Sequence, residues 1–215
     1  MSGVAADGWY DAALRYDSPN VDARPTGVAI ALLVIHNISL PGGRFGLPHV
    51  ADLFTNRVDF TADASFADLR GLKVSSHFLI RRAGRVIQFA SADARAWHAG
   101  VSSFEGRAEC NDFSIGVEME GSDFVPFEAA QYTALATLTA ALQARYPLRA
   151  VRGHEHIAPG RKTDPGPHFD WDLYHAALAK TAAPTRDDGA RLVDALPTLT
   201  FPPRTAIVKP AHQKK

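Results

Sequence analysis

The chain has 215 residues, of which 46% are hydrophobic and 21% charged, and these are ordinary values for a globular protein with a sizeable core. Lys plus Arg and Asp plus Glu both number 23, so the zero formal net charge disfavours a general nucleic-acid binder, which usually carries a basic excess. The single cysteine, Cys110, excludes an intramolecular disulfide, so any zinc site would depend on the nine histidines and on carboxylates.

The first half of the chain shows patterns typical of strands with a short helix between them. Residues 29–38 form a continuous apolar run, AIALLVIHNI, which predicts a buried central strand. After a loop rich in Pro and Gly, apolar side chains at helical spacing predict a short helix over residues 49–57. Residues 74–80 and 86–90 flank a turn that contains Gly84, which predicts a β-hairpin.

The second half alternates strands with longer helices. Residues 112–120 predict a strand with an apolar core face and a polar face that carries Glu118 and Glu120. Apolar residues three or four apart over 128–146 predict an amphipathic helix that ends before Pro147. The remaining predicted segments are a short strand at 150–153, a loop at 154–168 and a last helix that begins near Asp170, its N-cap.

This alternation predicts an α/β fold with a mixed sheet. We expect residues 1–182 to form one domain and the Pro-rich residues 183–215 to form a C-terminal tail, extended or partly docked.

Export and membrane signals are missing from the sequence. Residues 1–20 contain three aspartates instead of the basic start and apolar region of a signal peptide. The longest apolar stretch, residues 29–35, is far shorter than the roughly 20 residues of a membrane span. We therefore expect a cytoplasmic monomer that binds neither membrane nor nucleic acid.

Histidines and a carboxylate supply a candidate metal site. His36 ends the first apolar strand, at the carboxyl end where α/β folds gather ligands, although a hydrogen-bonded core histidine is the commoner interpretation of such a residue alone. His154, His156 and Asp164 lie in a loop that Pro and Gly stiffen. Catalytic zinc typically takes three protein ligands and leaves a fourth position for water. His36, Asp164 and one of the loop histidines would make such a set, and spacing does not decide between His154 and His156.

Two kinds of side chain could do chemistry beside this site. Glu118 and Glu120 share a strand face, and either carboxylate could be solvated or could act as a general base. Lys162 and Asp164 point to the same side of an extended stretch, so a weak surface ion pair is the alternative to a catalytic lysine.

Four segments occur in a specific order, and together they carry a resemblance. They are VIHNISLPGGRFG at 34–46, VSSHFLIRRAGRVIQF at 74–89, RAWHAGVSSFEGRAECNDFSIGVEMEG at 95–121 and GHEHIAPGRKTDPGPHFDW at 153–171. The chain resembles the AmpD-type 1,6-anhydro-N-acetylmuramyl-L-alanine amidases, cytosolic zinc enzymes of bacterial cell-wall recycling. This resemblance implies a central mixed sheet flanked by helices, a fold shared with phage lysozyme-type amidases and peptidoglycan-recognition proteins.

The resemblance also implies the site. It assigns zinc to His36, His154 and Asp164, and the catalytic roles to Glu118 and Lys162. The implied reaction is hydrolysis of the amide between the lactyl group of the anhydro-muramic acid and L-alanine of a muropeptide. Loss of such an enzyme would let muropeptides accumulate and induce a β-lactamase.

Substrate contacts and alternative functions are less constrained by the sequence. The candidates for holding sugar and peptide are Asn37, Lys73, Trp97, His98 and Arg107. A basic residue is typical of the family where Glu109 stands, so contacts at the peptide end are expected to differ. The alternatives are a non-catalytic muropeptide-binding module on the same fold, an amidase acting on intact peptidoglycan, and a different metallohydrolase such as a peptidase.

Overall fold

The computed structural model of the chain describes residues 2–181 and 198–203. The strands within this part are β1 (Leu14–Arg15), β2 (Val21–Asp22), β3 (Leu32–Ile38), β4 (Phe78–Ile80), β5 (Val86–Gln88), β6 (Arg95–Ala96), β7 (Ser103–Phe104), β8 (Arg107–Ala108), β9 (Ser114–Glu120) and β10 (Ala150–Gly153). The α-helices are α1 (His49–Phe54), α2 (Ala129–Gln143), α3 (His154–Ile157) and α4 (Trp171–Thr181), and 3-10 helices span Ala64–Leu69 and Cys110–Asp112.

A six-stranded sheet in the order β1-β5-β4-β9-β3-β10 forms the centre of the fold. The neighbours β4, β9, β3 and β10 are parallel, whereas β4 and β5 form the antiparallel hairpin predicted from the turn at Gly84. Gly84 has a φ of 80°, which a glycine adopts without strain. The predicted α/β fold with a central mixed sheet is therefore confirmed.

The two faces of the sheet have different partners. On one face, side chains of β3 and β9 pack with α2 and α4 in the main core; this cluster includes Leu33, Ile35, Ile115, Val117, Met119, Leu135, Leu138, Tyr174 and Leu178. On the opposite face, the alternate positions of β9 carry Ser114, Gly116 and Glu118. The strand alternation expected from the sequence is thus present, and it separates an apolar core face from a polar face.

The polar face of β9 is buried, so the solvated alternative for its two glutamates does not hold. All seven residues of this strand are buried. Glu120 accepts hydrogen bonds from the Gly46 and Arg82 main-chain N–H groups and pairs with the Arg81 guanidinium at 2.7 Å. This carboxylate therefore anchors the loop after β3 and is fully occupied by protein groups.

The helices largely follow their predicted positions. In α2, the Gln131 side chain accepts a hydrogen bond from the Glu128 N–H, and in α4 the predicted N-cap Asp170 accepts one from the Leu173 N–H. The prediction of a loop from residue 154 is wrong for its first turn, because residues 154–157 form α3. None of the helices in the described residues is long and apolar enough to cross a membrane.

Part of the predicted tail lies against the sheet. Thr200 pairs with Ala150 of β10 in a parallel bridge, and its main chain exchanges hydrogen bonds with Arg149 and Val151. Leu199 is buried in the main core, and the ring of Phe201 packs against Tyr174. Residues 182–197 and 204–215 lie outside the described residues, and the division into 1–182 and 183–215 remains a prediction.

We expect truncation after residue 185 to destabilise the fold without removing the metal site. The change removes Leu199 from the core, and loss of a buried Leu side chain typically costs about 2–5 kcal/mol. The matched control is truncation after residue 203, which keeps the docked segment. Thermal unfolding and zinc content of both proteins check this expectation, and equal unfolding midpoints for the two truncations would contradict it.

Candidate metal and catalytic site

The central pair of strands positions one histidine and one glutamate side by side. His36 on β3 and Glu118 on β9 are directly paired positions of the parallel ladder, and both side chains are buried. Neighbouring strands lie about 4.8 Å apart, so the two groups share one small region at the carboxyl ends of the strands.

The loop after β10 brings the other two candidate ligands to this place. The Glu155 N–H donates to the Asp164 carbonyl at 2.9 Å and ties the two ends of the loop together. A Cβ at position 153 would lie 2.6 Å from the Pro165 ring, so only glycine allows this close approach of the Asp164–Pro165 segment to the strand. The Gly153–His154 step therefore places His154 beside Asp164.

Three ligand atoms form a compact triangle. His36 Nδ1 lies 3.0 Å from His154 Nδ1, and Asp164 Oδ2 lies 2.9 Å from the first and 3.1 Å from the second. Tetrahedral zinc with bonds of about 2.0–2.1 Å needs ligand atoms about 3.3 Å apart, close to these distances. Two imidazoles and one carboxylate are a donor set of catalytic zinc sites, so the residues fit this metal.

The local environment of His36 and Asp164 favours the protonation states in which these two candidate ligands would bind a metal. Burial lowers the pKa of His36 to about 4, which leaves the imidazole neutral at neutral pH. Burial alone would raise the pKa of Asp164, but the neighbouring imidazoles of His154 and His36 lower it well below its ordinary value. A neutral imidazole and an ionised carboxylate are the forms that bind a divalent cation.

The structure distinguishes the two loop histidines. His154 is buried and directs Nδ1 into the triangle, while its Nε2 contacts the Ala99 carbonyl at 2.9 Å. His156 Nδ1 instead accepts a hydrogen bond from the Gly153 N–H at 2.9 Å, and its ring packs against Trp171. The alternative left open by spacing therefore has a geometric answer: His154 joins His36 and Asp164, and His156 caps α3.

Glu118 is the carboxylate next to the triangle. Its Oε2 is buried and has no hydrogen-bond partner within the part of the chain that the structure describes. Burial, together with the negative charge of Asp164, raises the pKa of this carboxyl well above its ordinary value. An unpaired buried carboxylate is costly, and a group in this state beside a metal site is typical of a proton acceptor.

Lys162 lies at the exposed side of the same site. Among the ion pairs of the described residues, none joins Lys162 to Asp164, whose Oδ2 is engaged by the two histidines. The surface-pair alternative is thus absent from this geometry. The Lys162 charge acts on Glu118, where it opposes the rise in pKa, and on His36, where it favours the neutral ring.

The residues predicted to hold substrate differ in their surroundings. The Asn37 amide donates to Asp123 Oδ1 at 2.7 Å and to the Pro165 carbonyl at 3.1 Å. The Trp97 indole N–H is buried and has no partner in the described residues. Lys73 and Arg107 are exposed, and the Arg107 guanidinium lies over the Phe113 ring.

The fifth predicted substrate residue, His98, is engaged on both ring nitrogens by protein groups. Its Nδ1 lies 3.0 Å from His36 Nε2, and its Nε2 lies 3.1 Å from Ser114 Oγ. Burial lowers its pKa well below the ordinary value, so the ring is neutral. Glu109, the departure from the family pattern, lies 3.6 Å from the Arg95 guanidinium.

Sequence reasoning missed a partly buried cation near the site. The Arg24 guanidinium donates to the main-chain carbonyls of Asn111 and Ser114, both at 2.8 Å, and burial lowers its pKa to about 10. It also lies beside His77, whose Nδ1 accepts a hydrogen bond from the Gly116 N–H. A single Arg in an irregular lead-in segment carries no pattern that would have predicted this role.

The comparisons with known proteins agree with this geometry. The family model of N-acetylmuramoyl-L-alanine amidases matches residues 26–167. The 1,6-anhydro-N-acetylmuramyl-L-alanine amidase AmpD of Citrobacter freundii is 51% identical over 178 residues, which cover 82% of this chain and 95% of that protein. The crystal structure of a selenomethionine derivative of AmpD has a TM-score of 0.77 and 50% identity, and covers 80% of this chain and 97% of its own.

A more distant structure contains a ligand. The amidase AmiD of Escherichia coli, in complex with anhydro-N-acetylmuramic acid-L-Ala-D-γ-Glu-L-Lys, is 32% identical with a TM-score of 0.52, and covers 72% of this chain and 60% of that one. The resemblance read from the motifs is thereby confirmed. The chain belongs to the N-acetylmuramoyl-L-alanine amidase family of hydrolytic enzymes, in the group that includes the AmpD amidases.

Proposed function

We propose that the protein is a zinc-dependent amidase that cleaves the bond between the lactyl group of 1,6-anhydro-N-acetylmuramic acid and L-alanine in muropeptides. The observation that carries this proposal is the buried Glu118 carboxylate beside the triangle of His36, His154 and Asp164, whose Oε2 has no hydrogen-bond partner among the described residues. The identity to AmpD enzymes over most of the chain supports the anhydro-muropeptide as substrate.

Each residue has a distinct role in the proposed reaction. Zinc, when bound by His36, His154 and Asp164, would polarise the scissile carbonyl and lower the pKa of water. Glu118 takes a proton from the attacking water and passes it to the leaving nitrogen of L-alanine. Lys162 directs its ammonium group at the negative oxygen that develops on the former carbonyl, a role commonly worth a few kcal/mol.

The remaining predicted residues would hold the two ends of the substrate. Trp97 offers a buried indole N–H that finds no partner within residues 2–181 and 198–203, which suits a polar group of sugar or peptide. Lys73 and Arg107 are exposed cations for the carboxylates of the stem peptide. Asn37 shapes the wall of the site through Asp123 and the Pro165 carbonyl.

The proposed setting is the cytoplasm of a bacterium, with the enzyme acting as a monomer in cell-wall recycling and limiting the muropeptides that induce a β-lactamase. A non-catalytic binding module is disfavoured because such proteins lack a metal ligand. Here all three candidate ligands, His36, His154 and Asp164, are present together with Glu118 and Lys162. An amidase for intact peptidoglycan would share the same chemistry and differ only in the sugar that it accepts.

Mass spectrometry of the products tests the function. Purified protein is incubated with an anhydro-muropeptide, with the matching non-anhydro muropeptide and with intact peptidoglycan, each with and without a zinc chelator. We expect release of the intact stem peptide from the anhydro substrate and its loss on chelation. Equal turnover of all three substrates would reject the anhydro specificity, and full activity in chelator would reject the metal.

We expect His154→Ala to lose zinc and His156→Ala to retain it. His154 Nδ1 faces the other two ligand atoms, whereas His156 Nδ1 caps α3. Metal analysis of the purified variants checks this pair, with the wild type expected to hold about one zinc per chain. The reverse pattern of zinc retention would overturn the ligand assignment.

A further inference from the structure

The two residues His98 and Ala99, here called the 98–99 segment, contact both imidazole ligands. His98 Nδ1 lies 3.0 Å from His36 Nε2, and the Ala99 carbonyl lies 2.9 Å from His154 Nε2. Both contacts are made to the ring nitrogen that faces away from the ligand triangle. Groups in this position can fix the orientation and the tautomer of a metal-binding histidine.

The donor and acceptor roles in these contacts follow from the two main-chain carbonyls, of Ala99 and Cys110, that can only accept hydrogen bonds. A carbonyl oxygen only accepts, so His154 Nε2 carries the proton and His154 Nδ1 keeps its lone pair for the metal. The Ser114 hydroxyl donates its one hydrogen to the Cys110 carbonyl, so its oxygen accepts from His98 Nε2. His98 Nδ1 is then an acceptor for His36 Nε2–H, and His36 Nδ1 is also free to bind metal.

Neighbouring groups hold the 98–99 segment rigidly in place. The side-chain oxygen of the buried Asn111 accepts hydrogen bonds from the His98 N–H at 3.2 Å and the Ala99 N–H at 2.8 Å. A Cβ at Gly116 would lie 2.6 Å from the His98 ring, so the glycine in β9 provides the space for this ring. The Arg161 guanidinium donates to the same Ala99 carbonyl at 2.8 Å.

We propose that the 98–99 segment is a single positioning unit that sets the tautomer of both histidine ligands, with His98 acting through His36 instead of through contact with substrate. The inference rests on the zinc site of the proposed function. It assigns the His98 ring to the metal site and leaves Trp97, its neighbour, as the aromatic group of this loop for substrate.

Zinc affinity of His98 variants tests the proposal. We expect His98→Leu to weaken zinc binding by about 10–100-fold, measured by competition with a chromogenic chelator, because His36 loses the acceptor for its Nε2–H. His98→Asn keeps an oxygen near the former Nδ1 position and should restore part of the affinity. Cobalt-substituted His98→Leu should also show a changed visible spectrum, which reports the ligand geometry independently of turnover.

A second histidine provides the matched control. His77 is fully buried and its ring packs edge-on against His98, but its Nδ1 accepts from the Gly116 N–H and makes no contact with a ligand. We expect His77→Asn to lower the unfolding midpoint while leaving the zinc affinity of the folded protein within about twofold of wild type. Equal zinc affinities for wild type, His98→Leu and His77→Asn would overturn the proposal and leave His98 with a packing role.

Tautomers can be read without any variant. In the zinc-loaded wild type, long-range ¹H–¹⁵N spectra should assign the Nε2–H form to His98, and the Nδ1–H form would overturn the proposal even if no His98 variant folds. Failure of this positioning proposal can be distinguished from failure of the proposed function. Absence of zinc binding by the wild type would reject the metal site itself. Zinc binding by the wild type with the same affinity as His98→Leu would reject only the positioning unit.

Discussion

Replacement of Glu118 by Gln should reduce turnover by about 10²–10⁴-fold while the protein keeps its zinc. The reason is that Glu118 Oε2 is a buried acceptor beside the ligand triangle with no partner in the part of the chain that the structure describes, and an amide cannot take the proton of the attacking water. Steady-state kinetics and metal analysis of the same preparation measure the two quantities. Loss of zinc with loss of activity would show that Glu118 supports the metal and would leave its role as base without evidence.

Glu120→Gln is the matched control, because Glu120 lies two positions further along β9 on the same face. Its carboxylate is occupied by the Arg81 guanidinium and the Gly46 and Arg82 N–H groups. We expect a lower unfolding midpoint from the weakened ion pair and a much smaller effect on turnover than that of Glu118→Gln. Equal losses of turnover in the two variants would remove the distinction between the glutamates.

The same Glu118 substitution should stabilise the metal-free protein. Burial raises the pKa of Glu118, so the folded state holds this proton more tightly than the unfolded state, and stability is lost as pH rises above the ordinary carboxyl range. Gln carries no charge, so the metal-free variant should unfold at a higher temperature than metal-free wild type at pH 7. The difference should shrink near pH 4, where the unfolded wild-type carboxyl is also protonated to a large extent.

Lys162→Ala should lower kcat by about 100-fold or more, with a small change in KM and unchanged zinc content. Lys162 pairs with no carboxylate in the described residues, and its charge acts toward the buried centre of the site. An exposed ion pair would be worth only about 0–1 kcal/mol, so a surface role and an oxyanion role predict clearly different kinetics.

Lys162→Arg separates charge from geometry in this test. A guanidinium keeps the positive charge, so part of the lost kcat should return if the charge stabilises the developing oxyanion. An active Lys162→Ala enzyme would falsify the oxyanion role. A rise in KM with unchanged kcat would instead assign Lys162 to substrate binding.

The local patterns of this sequence were sufficient to predict five of the six strands of the central sheet, whereas the two-residue strand β1 was not predicted. The apolar run before His36 and the alternation around Glu118 depend on neighbouring side chains alone, and β3 forms as a buried central strand and β9 with the expected alternation. The choice between His154 and His156 could not be made in this way. It depends on the α3 turn and on the Pro165 ring against Gly153, and both are tertiary contacts between segments that the pattern treats as one loop.

The contacts that His36 makes on the side away from the metal site could not be predicted from sequence periodicity either. The Gly116 in an otherwise continuous strand is a signal of close approach, but it does not name His98 as the group that approaches. Likewise, the Asn111 side chain and Ser114 hydroxyl lie in a motif whose spacing says nothing about the distance to His36. These residues come together only because β9 and the preceding loop fold over each other.

The segment at 198–203 has a consequence for how the folded protein behaves toward copies of itself. Strand β10 is the last strand of the sheet, and its outer N–H and C=O groups would otherwise form an open edge. Such edges template pairing between chains and favour aggregation. By placing the Thr200 main chain along Arg149 and Val151, the returning segment covers the first part of this edge and would oppose pairing of β10 with another copy of the chain.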